Sequence, residues 1–195
     1  IEQAQDIRTF FNTFGFVCVK DVLDDSEIEA SCAEFFSMFN RDDETSIENF
    51  FGNQPFAKFG VIGAEPALSL TMLQNRQNPR VYAAFSAVFD EKELIVDHDR
   101  FGALRPTINH PEWRTIDRWL HLDCNPLTGA VAVESFANGK ALHDWKDSFL
   151  VQGFIALTDA REPDGGFHCV PGGHNYAIEW AQKVDKTGST LVVDQ

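Results

Sequence analysis

His121 and Asp123 stand two residues apart in the run Arg118-Trp119-Leu120-His121-Leu122-Asp123. On a strand, residues i and i+2 face the same side, so an imidazole and a carboxylate would project together. Two ligands of a 2-His-1-carboxylate facial triad need that arrangement, which leaves coordination positions open on a non-haem iron. Six histidines and 17 aspartates make a lone His-x-Asp commonplace in this chain. A half-buried histidine paired with a carboxylate is the ordinary alternative. The setting favours chemistry, because the segment is otherwise apolar and two buried ionisable groups are costly unless paired or metal-bound.

Four other histidines read differently. His98 is flanked by Asp97 and Asp99, but alternation would turn it away from both. His143 falls in the polar stretch ALHDWKD, and His168 sits beside Cys169 in a short apolar run. His174 ends the turn-forming Pro171-Gly172-Gly173-His174. Each is first an ordinary structural or surface histidine.

Helices come first and strands afterwards. Ile7, Phe10, Phe11 and Phe14 recur on one helical face over residues 2–14, and Gly15 stands where a helix-ending glycine belongs. FVCVK (16–20) alternates like a strand. Asp25 or Ser26 can cap a second helix, Ser26-x-x-Glu29 having capping-box spacing, with Ile28, Cys32, Phe35, Phe36 and Phe39 on its apolar face. Residues 40–60 read as a long loop. Asn78-Pro79 predicts a third helix start, with Tyr82, Phe85 and Phe89 repeating helically. From residue 94 the period falls to two, and 94–100, 116–123, 149–159 and 167–170 read as strands. REPDGG (161–166) is a turn and YAIEWAQK (176–183) a short helix. The expected fold class is α+β with a mainly β core, a sandwich or barrel behind N-terminal helices, in one domain over 1–195. The first residue is Ile1 and the last run is LVVDQ, which suggests a fragment, and the strand count is low for a closed barrel, so C-terminal strands are expected to be missing.

The 195 residues suffice for one domain with a real core. Thirty acidic against 16 basic residues give a formal charge of −14, with no Lys/Arg patch. Nucleic acid and an anionic membrane surface are therefore disfavoured partners. No run approaches the roughly 20 apolar residues of a membrane span. Cys18, Cys32, Cys124 and Cys169 form no Cys-x-x-Cys pair, so reduced thiols in an intracellular, cytoplasmic protein are expected.

Three features in order carry a resemblance: FNTFGFVCVKDVLDDSEI (11–28), the His121-x-Asp123 strand, and GGFHCVPGGH (165–174). Together they resemble the phytanoyl-CoA dioxygenase-like (PhyH) family of Fe(II)/2-oxoglutarate-dependent oxygenases. The resemblance covers most of the chain, with residues 40–95 the least informative. It implies a double-stranded β-helix (jelly-roll, cupin-like) core holding Fe(II), with 2-oxoglutarate as co-substrate. It maps His121 and Asp123 onto the first two metal ligands. The third ligand and a 2-oxoglutarate-binding Arg are expected beyond Gln195, with His174 as the alternative within the chain. Related halogenases replace the carboxylate with a small residue, so Asp123 implies hydroxylation instead.

Three further residues are candidates for the co-substrate. Gln152 is the odd polar member of the face formed by Leu150, Gln152, Phe154 and Ala156, and a buried glutamine needs a partner. Phe154 lies where the family often has an aromatic residue near the co-substrate. Arg105 precedes the His-x-Asp strand at about the distance of the family's polar co-substrate contacts. Their ordinary readings are a backbone-bonded glutamine, a core phenylalanine and a surface arginine in a salt bridge. The expected protein is a dioxygenase acting on a small-molecule or lipid-derived substrate. A non-catalytic jelly-roll binding protein of the same descent is the alternative, and a cupin-like metalloenzyme without 2-oxoglutarate the third reading.

Overall fold

A computed structural model of the protein describes residues 3–54, 56–63, 65–96, 100–115, 120–121, 151–161 and 164–184. They divide into two compact units. One comprises Ile1–Asn12, Val17–Asp117 and Phe154–Gly166, the other Thr13–Phe16, Arg118–Gly153 and Phe167–Gln195. Six α-helices are described: α1 (Ala4–Phe14), α2 (Asp25–Ser37), α3 (Glu44–Gly52), α4 (Leu70–Arg76), α5 (Pro79–Phe89) and α6 (Ala177–Val184). None is long and apolar enough to cross a membrane.

In the first unit, α2 begins at a reciprocal cap. Asp24 accepts from the Glu27 N–H at 3.0 Å while Glu27 accepts from the Asp24 N–H at 2.8 Å. The box is thus Asp24/Glu27, a correction to Ser26/Glu29: aspartate caps as well as serine, and its register leaves Ser26 to bond Asp24. Residues 40–60 are not a loop. Asp43 caps α3 by accepting from the Thr45 N–H at 3.0 Å, and Phe51 of that helix is buried. Phe39 stacks on Phe50 at 4.8 Å, while Phe35 meets Phe50 edge-on at 6.1 Å, so an aromatic layer joins α3 to the C-terminal end of α2.

Against α2 lies α4, whose first N–H groups are satisfied from a distance. Glu34 accepts from the Leu70 N–H at 3.1 Å and the Thr71 N–H at 2.8 Å. A second bond inside this pair, Asn75 Nδ2 to Ser31 Oγ at 2.8 Å, pairs two buried polar side chains. The helix starting at Asn78-Pro79 forms as expected, with Asn78 accepting from the Arg80 N–H at 2.8 Å. Its most buried residue is Ala87, whereas Tyr82 is exposed and donates its hydroxyl to the Lys92 carbonyl at 2.9 Å.

Two short strands, β1 (Val61–Ile62) and β2 (Phe101–Gly102), pair antiparallel with Ile62 opposite Phe101. Ile62 is fully buried. Gly60 opens this pairing at φ 73°, and a β-carbon there would run into the Leu104 side chain, so glycine is required on both counts. The core of the unit is Ile7, Leu23, Phe51, Ile62, Ala67, Met72, Ala87 and Trp113.

In the second unit, Gly15 ends α1 at φ 78°, as its position predicts, and the Gly172 N–H donates to the Phe14 carbonyl at 2.8 Å. A short 3-10 turn (Gly173–Tyr176) leads into α6, where Ala181 is fully buried.

The period-two segments differ from expectation. Residues 16–20, 151–159 and 167–170 form no ladder among the described residues. Alternation and β-branching describe a surface fit for a sheet, but only a partner strand turns it into one. Residues 97–99 and most of 116–123 lie outside the described residues, as does 149–150. The described part is therefore mixed, mainly helical, with two short strands. Of the predicted 161–166 turn, residues 162–163 lie outside the described residues; at its ends the Asp164 N–H donates to the Arg161 carbonyl at 2.9 Å and Gly165 takes φ 78°.

Candidate functional site

His121 lies in the second unit and is exposed. Asp123, the other half of the pair, lies outside the described residues, as do Cys124, His98 and His143. Among the described residues no group of three or more His, Cys, Asp or Glu could hold a metal ion. Cys18, Cys32 and Cys169 are free thiols. Burial pushes the Cys32 thiol up, and it donates to the Leu157 carbonyl at 3.6 Å.

His174 stands against the turn that ends α1. A β-carbon on Gly15 would overlap its imidazole, so His174 as placed leaves no room for a side chain at position 15. His168 is exposed. Gln152, in the second unit, is exposed, and Phe154, in the first, is 69% exposed.

Arg105 has the most developed surroundings of the candidates. Its guanidinium lies 4.9 Å from the centre of the Phe51 ring and 5.0 Å from that of Trp113. Phe51 comes from α3, and Trp113 from a 3-10 turn (Pro111–Trp113) that Pro111 initiates. Both rings are buried while Arg105 is half-buried. Partial burial pulls the guanidinium below its ordinary value against the opposing charges of Glu48 and Glu112, and it remains a cation at any physiological pH. Among the described residues the guanidinium makes no hydrogen bond or ion pair, so its donors are not consumed by a neighbour.

Behind Trp113 the stack continues. His110 lies parallel to the indole at 3.9 Å, with Nδ1 3.1 Å from Glu44 and 3.0 Å from Glu112. The Glu112 carboxyl is held low by its own backbone N–H and by His110. This Phe51–Arg105–Trp113–His110 arrangement escapes the sequence reading. Phe51 falls in the stretch read as a loop, and the only local signal for the other two is Pro111 opening a turn at His110-Pro-Glu-Trp113. What the cluster offers chemically is a fixed, partly desolvated cation with planar donors, suited to a carboxylate.

Comparison with known proteins gives a consistent result. The family model described as Phytanoyl-CoA dioxygenase (PhyH) matches residues 11–189. A curated protein of Dictyostelium discoideum named "Putative phytanoyl-CoA dioxygenase" is 29% identical over 195 residues, covering 88% of this chain and 56% of the relative. The chain thus spans about half the length of the curated relative it matches. No solved structure matches.

Proposed function

This chain belongs to the phytanoyl-CoA dioxygenase (PhyH) family, and on that premise we propose that it is a non-haem Fe(II)- and 2-oxoglutarate-dependent dioxygenase hydroxylating a small-molecule or lipid-derived substrate. One observation carries the reading: the match over residues 11–189 embraces the His-x-Asp pair, the GGFHCVPGGH segment and every co-substrate candidate together. Residues 1–195 are assigned to one oxygenase domain of this jelly-roll, cupin-like family.

The donor chemistry fits the group the family implies. An imidazole and a carboxylate at i and i+2 are the nitrogen and oxygen donors that suit Fe(II), and His121 is open to solvent. In this reading His121 and Asp123 hold the iron, while Arg105, Gln152 and Phe154 contact 2-oxoglutarate. When bound, the iron and co-substrate supply oxygen chemistry that converts 2-oxoglutarate to succinate and carbon dioxide and hydroxylates a substrate C–H bond. The chain's own residues bind and orient. Arg105 would offer paired N–H donors to a carboxylate, Gln152 an amide donor, and Phe154 an apolar wall that keeps water from the co-substrate.

The test is anaerobic addition of Fe(II) and then 2-oxoglutarate, following the metal-to-ligand charge-transfer absorption of the chelate, with His121→Ala as control. A band present in the protein and lost in the control is expected. No band in either protein overturns the assignment.

A further inference from the structure

The packing of α4 on α2 leaves an open groove of about 240 Å³, lined by Ser26, Glu27 and Ala30 of α2 and by Thr71, Gln74 and Asn75 of α4. We propose that this groove binds a small organic cation carrying N–H donors, an ammonium or guanidinium group. A single water needs about 10–15 Å³, so the space takes an organic molecule. The groove lies wholly within the first unit and needs neither iron nor 2-oxoglutarate.

Asn75 sets its polarity. The residue is only 8% exposed, and its neighbour decides which way the amide faces. Ser31 Oγ donates to the Glu27 carbonyl at 2.7 Å, so toward Asn75 it can only accept. Asn75 therefore presents Nδ2 to it, at 2.8 Å, and Oδ1 is left as an acceptor with no hydrogen-bond partner among the described residues. That oxygen is not sealed, because the one sealed side-chain polar atom without a partner among them is Ser69 Oγ. A largely buried amide oxygen that borders a groove and bonds no protein group is placed to receive a donor from a ligand.

The other lining groups select the same chemistry. The Ser26 hydroxyl donates to Asp24 at 2.6 Å and the Thr71 hydroxyl donates to Glu34. Each has spent its proton on a residue outside the lining and keeps only acceptor lone pairs. Glu27 adds a carboxylate, whose charge Arg80 partly balances. No Lys or Arg lines the groove, and the side chain that offers donors is Gln74, exposed at the rim. A chain with a formal charge of −14 also draws cations to its surface and repels anions. Acceptors in excess of donors, beside a carboxylate, suit an N–H-rich cation and disfavour a carboxylate or phosphate.

The experiment is a nitrogen–proton correlation NMR titration in about 0.15 M sodium chloride, which screens long-range attraction. The probes are n-butylammonium and, separately, methylguanidinium; tetramethylammonium, a cation without N–H, is the control. Saturable shifts of the Asn75 side-chain amide and of the backbone amides lining the groove on α2 and α4 are expected with at least one probe, and the tighter of the two names the group. Ala30→Leu fills the groove from an exposed helix position without removing a polar group, and should abolish the saturable shifts. Asn75→Leu should weaken binding about tenfold or more, the scale of one hydrogen bond to a charged group. Should Asn75→Leu not fold, Ala30→Leu decides alone. The proposal is overturned by equal shifts from tetramethylammonium, by shifts scattered over the acidic surface, by no saturation with either probe, or by unchanged affinity in either variant.

Discussion

At the scale of single residues, the proposed site divides into donors that hold a metal and donors that hold its co-substrate, and substitution should separate them. Asp123→Ala removes a charged oxygen donor and leaves His121 in place. Fe(II) retained after gel filtration should fall to background while the circular dichroism spectrum is unchanged; full iron stoichiometry in the variant would remove Asp123 from the metal site. Gln152→Leu keeps the size of the side chain and deletes its amide. It should weaken 2-oxoglutarate binding about tenfold or more, the cost of one hydrogen bond to a charged group, with iron affinity preserved. Equal 2-oxoglutarate affinity in the two proteins would return Gln152 to an ordinary surface role, which its exposure allows. The His-x-Asp pair can be singled out from the sequence because two donor types two positions apart are a local signal. The packing of Arg105 on the Phe51 and Trp113 rings is not, because Phe51 lies 54 positions earlier than Arg105 and belongs to a helix whose start depends on a single cap at Asp43.

Elements show the same division between local and distant causes. The start of α5 was readable because Asn78 and Pro79 supply cap and first helical residue side by side, and Gly15 marks the end of α1 through its own backbone freedom. No such signal announces α4, because its cap is the side chain of Glu34, on α2. Burial pushes the Glu34 carboxyl up, but bonds from the Thr71 hydroxyl and N–H and from the Leu70 N–H outweigh it and leave it below the ordinary glutamate range. A folded value lower than the unfolded one means stability that is complete above the unfolded value and is lost as pH falls through the folded one. Glu34→Gln should therefore destabilise the protein at neutral pH by about 1–2 kcal/mol, the usual worth of a charged cap. The gap between the two proteins should narrow as pH drops below the glutamate range. Urea melts at about pH 7 and about pH 3.5 measure both, and a gap that stays constant would mean the carboxylate charge contributes nothing to the cap.

For the whole molecule, the dominant electrostatic fact is the excess of 30 acidic over 16 basic residues. Two opposing effects follow from it. The described ion pairs, such as Arg8 with Asp90, Arg161 with Asp164 and Lys183 with Glu179, involve partly or largely exposed side chains. Pairs of that kind contribute about 0–1 kcal/mol each and weaken as salt is added. Against them stands repulsion among the unpaired carboxylates, which acts over the reach of the screening length. That length falls from about 30 Å at 0.01 M salt to about 8 Å at 0.15 M, so at low salt a carboxylate feels most of the domain and at moderate salt only its neighbours. A formal charge of −14 makes the long-range term the larger one. The melting temperature at neutral pH should accordingly rise by about 2–4 °C between those two salt concentrations, equivalent to about 1 kcal/mol for a chain of this size. Sodium chloride is the salt to use, since sulfate and phosphate also strengthen apolar burial and would mask the cause. A melting temperature that falls with sodium chloride would mean that the local pairs outweigh the net charge, and that the acidic excess is spread too thinly to act on folding.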